Sequence, residues 1–148
     1  MTDLALAWDP NLGEADLFLQ GFDLATDDGL RTAVIISLFT DRRARDDDTL
    51  PDPGGDRRGW WADSVAPAVV GDELGSRLWL LEREKRSPAV IERVRTYSAE
   101  ALAWLREDGV GQDVIVTAEA FGHSGIAIRV EIPRALNPGR YDFVWKAA

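Results

Sequence analysis

The chain has 148 residues, 45% of them apolar, so it is long and apolar enough to fold as a single domain, residues 1–148, around a real core. Its 17 basic and 26 acidic residues give a net charge of −9, which argues against nucleic-acid binding because that requires a basic surface. The absence of cysteine excludes disulfides, thiol nucleophiles and cysteine-based metal sites. The N-terminus lacks a basic region and no apolar run approaches the length of a membrane span, so we expect neither a signal peptide nor a membrane partner.

The first thirty residues predict a β-hairpin. The run "DLALAW" (3–8) is typical of a strand, and the turn "DPNLGE" follows it. A second strand is predicted over "ADLFLQGFDL" (15–24), with Leu17 and Leu19 on one face. These thirty residues carry seven acids and no base, so this end of the chain is strongly acidic.

A helix is predicted over "LRTAVIISLFTDRRA" (30–44). Apolar residues such as Val34 and Leu38 recur every four positions, which is the spacing of one helical face. Thr26 or Asp27 is the expected N-cap. The β-branched run "VIIS" makes a strand the rival prediction, but the capping signal favours the helix.

Regular structure is hard to find between residues 41 and 75, which contain three prolines and five glycines. Loops of this length in compact domains are usually functional or disordered. Within this loop, Trp60 and Trp61 are adjacent and cannot both face one buried side. Arg57 and Arg58 precede them, and tryptophan and arginine are enriched at the energetic centres of protein interfaces.

We therefore predict that residues 41–75 form an interaction loop. One of Trp60 and Trp61 should anchor this loop to its own domain, and the other should contact a neighbouring subunit. The alternative is that one tryptophan covers the core while the other stacks on an arginine.

A pair of helices is predicted after this loop. The first covers "SRLWLLEREKR" (76–86). The second runs from Pro88 to about Asp108, because Ser87 is a good N-cap, proline suits the first helical position, and Gly109 suits the position after the last turn.

Positive charge is concentrated in the helix pair. Residues 76–95 hold six bases against three acids, including Arg83, Lys85 and Arg86, whereas the N-terminal hairpin is acidic. Such a separation of charge favours docking in a fixed orientation. A solvated helix face is the alternative.

Three strands are predicted at the end of the chain, where the apolar period changes to two. The runs "DVIVTAEA", "IAIRVEI" and "GRYDFVWK" would form an antiparallel meander joined first by the turn "GHSG". Tyr141, Phe143 and Trp145 share one face of the last strand, which as an edge strand could pair with a strand of another chain. The predicted fold class is therefore α+β: hairpin, helix, long loop, helix pair and three-stranded meander.

Catalytic and metal-binding arrangements are not evident. His123 is the only histidine and lies in a glycine-flanked turn, which excludes a histidine-based metal cluster and makes a triad implausible. The acids at 46–48 are flanked by arginines, so we expect a solvated or internally paired loop instead of a cation site. The carboxylates nearest to a glycosidase pattern show no arrangement that supports catalysis: Glu82, Glu84, Glu107 and Asp108. We predict no enzyme activity and no cofactor.

Several segments resemble a known family. These are "LATDDGLRTAVIISLFTDRRA", "DRRGWWADS", "GSRLWLLEREK" and "EALAWLREDGV", and they are similar to the Mu-like phage baseplate wedge proteins of contractile tails. The similarity covers roughly residues 1–132, and "DRRGWW" and "GSRLWLLEREK" are its most specific parts.

The resemblance implies an α+β wedge protein of the virion tail baseplate, assembled in the host cytoplasm. In the wider set of short wedge proteins, six copies surround the tail hub or tube. Each joins larger baseplate wedge proteins through a helical bundle and offers strands on which the tail sheath protein begins to assemble. That set often carries a Glu-Pro-Arg triplet after its last helix, where this chain has Glu107, Asp108 and Gly109. A contact made by the triplet must therefore be made differently here.

Two other functions remain open at this point: a lysozyme-like glycan hydrolase of the tail, and a small regulatory binding module. For the baseplate function, the predicted partner-binding residues are Arg57, Arg58, Trp60, Trp61, Arg83, Lys85, Arg86, Tyr141, Phe143 and Trp145.

Overall fold

The computed structural model describes residues 3–21, 23–24, 26–27, 29–65, 71–134 and 138–147. Its architecture is α+β, as predicted, with short strands at the N-terminus, helices in the middle and a three-stranded antiparallel sheet at the C-terminus. No helix within the described ranges is both long and apolar enough to cross a membrane.

The N-terminal hairpin is present, but its second strand is shorter than predicted. Leu6 lies opposite Leu17 in the ladder, and the chain turns again at Gly21, whose φ of 75° suits glycine. Leu17 and Leu19 therefore belong to different strands, and they are 41% and 68% exposed. This region contains six short strands: β1 Asp3–Leu4, β2 Leu6–Asp9, β3 Glu14–Leu17, β4 Leu19–Gln20, β5 Asp23–Leu24 and β6 Thr26–Asp27. Strand β2 pairs with β3, β4 pairs with β5, and β6 pairs with β1.

The first helix, α1, spans Leu30–Phe39. Its N-cap is Gly29 in a left-handed conformation, so the predicted caps Thr26 and Asp27 were wrong; both belong to β6. The helix also ends before residue 44, because Thr40 is extended and Asp41 forms a parallel bridge with Ser76. The rest of 41–75 is irregular where it is described, except for one 3₁₀ helix, Trp61–Ser64.

The region predicted as the first helix of the pair contains only a 3₁₀ helix, Leu78–Leu81. All four of its residues are buried, so this turn is enclosed on every side instead of resting one face on the core. The second helix, α2, spans Pro88–Ala101, and Val90 N donates a 3.3 Å hydrogen bond to the Ser87 Oγ cap, as predicted. A short helix α3, Trp104–Glu107, completes the segment.

The C-terminal sheet has the predicted meander order. It consists of β7 Ile115–Phe121, β8 Gly125–Ile132 and β9 Gly139–Lys146, with β8 in the centre. The inward face of β8 is fully buried because it lies between both neighbours and beneath the helices; its side chains there are Ile126, Ile128, Val130 and Ile132. Together with α1, α2 and the 3₁₀ turn, this face forms the main core.

A smaller core joins the long loop to the rest of the protein. Ala44, Trp79 and Leu80 are buried together, with Leu50 and Tyr97 packed against them. The Trp79 indole N–H also donates a 2.8 Å hydrogen bond to the carbonyl oxygen of Arg42. The first part of the loop is therefore packed onto its own domain.

The end of the loop depends on a close backbone approach at Gly75. A Cβ atom there would lie 2.3 Å from the Thr40 carbonyl oxygen, and φ is 100°. Gly71 also has a positive φ, 85°, but a Cβ there would meet nothing within 4 Å. We expect Gly71→Ala to lower the free energy of unfolding by about 1–2 kcal/mol through backbone strain, and Gly75→Ala by roughly 1–3 kcal/mol more through the clash.

Urea denaturation of both variants measures this difference. Equal destabilisation would show that the contact between Gly75 and Thr40 is not a packing constraint.

Candidate interaction surface

Arg58 holds the tryptophan segment of the loop, which is Trp60 with the 3₁₀ helix Trp61–Ser64, against the domain. Its Nη1 donates to Asp41 Oδ2 at 2.9 Å and its Nη2 to Glu82 Oε1 at 3.0 Å. The guanidinium also lies over the Trp79 ring, 4.5 Å from the centroid. Arg58 adopts a φ of 52°, unusual for a residue with a side chain, and these contacts offset the strain.

We predicted that one of the adjacent tryptophans anchors the loop to its own domain, but neither of them is buried. Trp60 is 43% exposed and Trp61 is 72% exposed, and their ring centroids are 5.9 Å apart. Val65 nearby is also exposed. The anchoring role belongs to Arg58, and the two indoles form an exposed apolar surface, which in soluble proteins often marks a binding site.

Arg57 stabilises the loop from within. Its Nη1 donates to the carbonyl oxygen of Arg45 at 2.5 Å, while its own carbonyl oxygen accepts from Ala44 N at 2.9 Å. The arginine therefore joins the two arms of the loop. Whether Arg57 and Arg58 also contact a partner stays a prediction.

A charge network centred on Glu100 joins the loop to α2. Arg77 Nη2 donates to Glu100 Oε2 at 2.8 Å, and Arg45 Nη2 donates to Glu100 Oε1 at 2.8 Å. Arg42 approaches the same Oε1 at 3.5 Å. Three guanidinium groups thus share one carboxylate.

Asp48 completes this network. It accepts a 2.7 Å hydrogen bond from Arg77 Nη1, and its other oxygen accepts from Arg45 N at 2.7 Å. Burial alone would lower the pKa of Arg77, but hydrogen bonds to Glu100 and Asp48 outweigh it and raise that pKa above its ordinary value. The acidic run at 46–48 is therefore partly paired internally, and the described residues contain no cluster of His, Asp and Glu placed to hold a metal ion.

The three basic residues after the 3₁₀ turn have different surroundings. Arg86 Nη1 donates to the carbonyl oxygens of the β7–β8 turn, at 2.9 Å from Gly122 and 3.0 Å from Gly125, so it stabilises that turn. Arg83 is exposed and 3.9 Å from an Asp52 oxygen. Lys85 is exposed and makes no ion pair within the described part of the chain. Of these three residues, Arg83 and Lys85 are exposed, and Arg83 makes only long contacts, to Asp52 and to the Pro51 carbonyl oxygen.

The aromatic face of β9 points into the protein. Phe143 and Trp145 are 5% and 7% exposed and belong to the main core, and Tyr141 is packed against it. Trp8 of the hairpin donates its indole N–H to the Val144 carbonyl oxygen at 2.9 Å. A partner would therefore meet β9 through its backbone edge, of which part is already covered, and that contact stays a prediction.

Two of the four carboxylates considered for catalysis are engaged in ion pairs, whereas Glu107 and Asp108 have none in the described part of the chain. Glu82 is paired with Arg58, and Glu84 accepts a 2.6 Å hydrogen bond from Arg93. His123 lies exposed in the turn between β7 and β8. These groups do not converge on a common site.

Among the described residues, a groove of about 780 Å³, which the sequence did not reveal, lies between α1, the tryptophan segment and the α2–α3 junction. Its apolar lining includes Ile36, Trp60 and Trp104, and acidic residues surround it. Trp104 is fixed by a 3.0 Å hydrogen bond from its indole N–H to Ser37 Oγ. The groove combines residues from distant parts of the chain, so no local motif could have predicted it.

A second missed feature is the apolar surface of the N-terminal hairpin. Five large apolar side chains are exposed among the N-terminal strands and their turns. They are Leu4, Leu12, Leu17, Phe18 and Leu19, with exposures of 43%, 70%, 41%, 44% and 68%.

The structure thus defines a small α+β protein whose most prominent features are interaction surfaces. These are a fixed loop with exposed indoles, an apolar hairpin and a groove. Comparison with known proteins agrees with this class. Residues 30–137 match the family model described as phage protein GP46. The chain is 52% identical over 125 residues to "Baseplate protein gp46" of Escherichia phage Mu, covering 84% of this chain and 81% of that protein.

A second relative is "Mu-like prophage FluMu protein gp46" of Haemophilus influenzae, 42% identical over 118 residues, which cover 80% of this chain and 76% of the relative. The chain belongs to the phage protein GP46 family. This confirms the resemblance to a Mu-like phage baseplate family.

The network at Glu100 gives a prediction about stability. We expect Glu100→Gln to lower the free energy of unfolding by about 2 kcal/mol, because Arg77 is 8% exposed and would lose one of its two charged partners, with Asp48 as the other. Glu92→Gln, on the same helix, is the matched control, since its pair with Arg95 is exposed.

Chemical denaturation of the two variants provides the measurement. Glu92→Gln should unfold like the wild type. A Glu100→Gln variant as stable as this control would show that the network does not hold the loop.

Proposed function

We propose that this protein is a structural component of a contractile phage tail baseplate. The observation that carries the proposal is the 52% identity, over most of both chains, to a relative named as a baseplate protein. Within the baseplate, the protein would be a wedge subunit that joins larger wedge proteins and nucleates the tail sheath. It would act as a single domain, residues 1–148, with residues 41–75 as its interaction loop.

The surfaces of the described residues support an assembly role. Trp61 is 72% exposed on a loop that Arg58 and the Glu100 network hold in place. A large, rigid aromatic side chain on the surface loses little entropy when a partner covers it. The exposed leucines of the hairpin supply a second apolar area on the same small protein.

The finer assignments complete the proposal. Partners would be the larger wedge proteins, the tail sheath protein and the tail hub or tube, with six copies in each baseplate, assembled in the host cytoplasm. The accessible predicted contacts are Trp60, Trp61, Arg83 and Lys85, together with the backbone edge of β9. We propose no catalytic role: Glu82 and Glu84 are paired with arginines, and Glu107 and Asp108 are exposed neighbours at the end of α3.

Co-expression with the neighbouring wedge and sheath proteins, followed by size-exclusion chromatography, tests this function. We expect the protein to co-elute with the larger wedge protein. Trp61→Ala should weaken that complex about tenfold or more, as truncation of an interface tryptophan does, without changing the fold.

Phe121→Ala is the matched control, because Phe121 is also an exposed aromatic residue, at 56%, but lies in the sheet away from the loop. Equal binding of the wedge protein by both variants would show that the loop is not part of the interface. Failure to co-elute, together with peptidoglycan hydrolysis that Glu82→Gln abolishes, would contradict the assembly function itself.

A further inference from the structure

We propose that the groove between α1, the tryptophan segment and the α2–α3 junction binds a basic amphipathic helix of a partner protein. This inference rests on the proposed assembly function and names one site for it. Three observations carry it: an apolar floor, an acidic rim and a fixed frame.

The floor of the groove is apolar and shaped by small side chains. Ala33 and Ile36 line it from α1, and Ala101 and Ala103 line it from the α2–α3 junction. Ile36 is 36% exposed, whereas its neighbours Ile35 and Ser37 on α1 are buried. Alanines from both elements keep this part of the lining free of bulky side chains, and this suits a helix that presents a row of apolar side chains.

Two indoles border this floor. Trp104 is held by its hydrogen bond to Ser37, and Trp60 lines the groove from the loop. Trp61 is not among the described residues that line the groove, so of the adjacent pair we assign the groove contact to Trp60.

The rim is strongly acidic. Five carboxylate residues line it without an ion pair in the described part of the chain: Asp63, Asp72, Glu73, Glu107 and Asp108. The residues outside the described ranges contain no lysine or arginine that could neutralise them. The base among the described lining residues is Arg42, which already donates to Glu100 and to the Glu73 carbonyl oxygen at 2.6 Å.

Charge and shape together select the occupant. An apolar floor with unpaired acids around it attracts a segment that combines apolar side chains with lysine or arginine. A nucleic acid is repelled by the same charges. The acids are spread around the rim and do not form a metal-binding cluster within the described residues.

Hydrogen bonds within the chain join the parts of the groove's frame. Arg42 connects the loop to Glu100 of α2, and Asp63 Oδ2 accepts a 3.2 Å hydrogen bond from Leu74 N across the loop. A partner helix would therefore not have to order these groove walls when it docks.

A designed peptide provides the probe. We would use a fluorescein-labelled, amidated peptide of about 14 residues, with leucines at helical spacing and lysines elsewhere, and measure binding by fluorescence anisotropy. We expect binding that weakens as salt is added. The same peptide with glutamate in place of lysine should not bind.

Matched variants locate the site. Glu107→Lys combined with Asp108→Lys should weaken binding about tenfold or more. Asp46→Lys combined with Asp47→Lys makes the same change in net charge on the exposed part of the loop and should retain most of the affinity. Trp60→Ala should also weaken binding, whereas Trp61→Ala should not. Circular dichroism and thermal unfolding would confirm that each variant folds.

Loss of binding in the groove variants alone supports the inference. Equal weakening by the Asp46 and Asp47 control, or equal binding of the glutamate peptide, overturns it. The co-elution experiment separates this result from the proposed function. If the wild type and the groove variants co-elute equally with the wedge protein and bind the lysine peptide equally, the groove inference fails and the assembly function stands. If the peptide binds in the groove but the wild type never co-elutes, the assembly function fails instead.

Discussion

Glu100 accepts hydrogen bonds from guanidinium groups that reach it from two separate parts of the chain. Arg42 and Arg45 belong to the long loop, and Arg77 precedes the 3₁₀ turn. Ion pairs of this kind stabilise a fold only weakly overall, because desolvation of the charges opposes their attraction. Their consequence is geometric: once Arg77 is enclosed, it requires both Glu100 and Asp48 nearby, and this requirement fixes the path of the loop over α2.

The same constraint explains why a loop rich in Asp and Arg is packed against the domain. Arg58 repeats the arrangement further along, where it joins Asp41 and Glu82 and stacks on Trp79. The loop has little regular structure, so its order comes from side-chain contacts instead of a backbone ladder. Trp61 is therefore exposed on a segment that side-chain contacts hold against the domain.

Sequence patterns were reliable where one face of an element is buried and the other is not. Strand β8 and the start of α2 at Ser87 show this. An apolar period of two indicates a strand, and a serine followed by a proline indicates the start of a helix. The 3₁₀ turn Leu78–Leu81 was predicted as a longer helix because four consecutive apolar residues do not reveal that every side is enclosed. The helix cap at Gly29 was missed because we expected a side chain to cap the helix. Gly29 instead begins the helix with a left-handed backbone conformation and without a side-chain cap.

The interaction surface was harder to predict for a related reason. Arginine and aromatic residues are equally suited to interfaces and to internal anchoring, and only the position of their partners separates the two uses. Arg58 and Trp145 have internal partners, whereas Trp61 has an exposed surface. The groove brings together α1, the loop and α3, so its acidic rim exists only after folding. Because the Glu100 network closes one wall of that groove, the interaction that orders the loop also creates the surface that the loop presents.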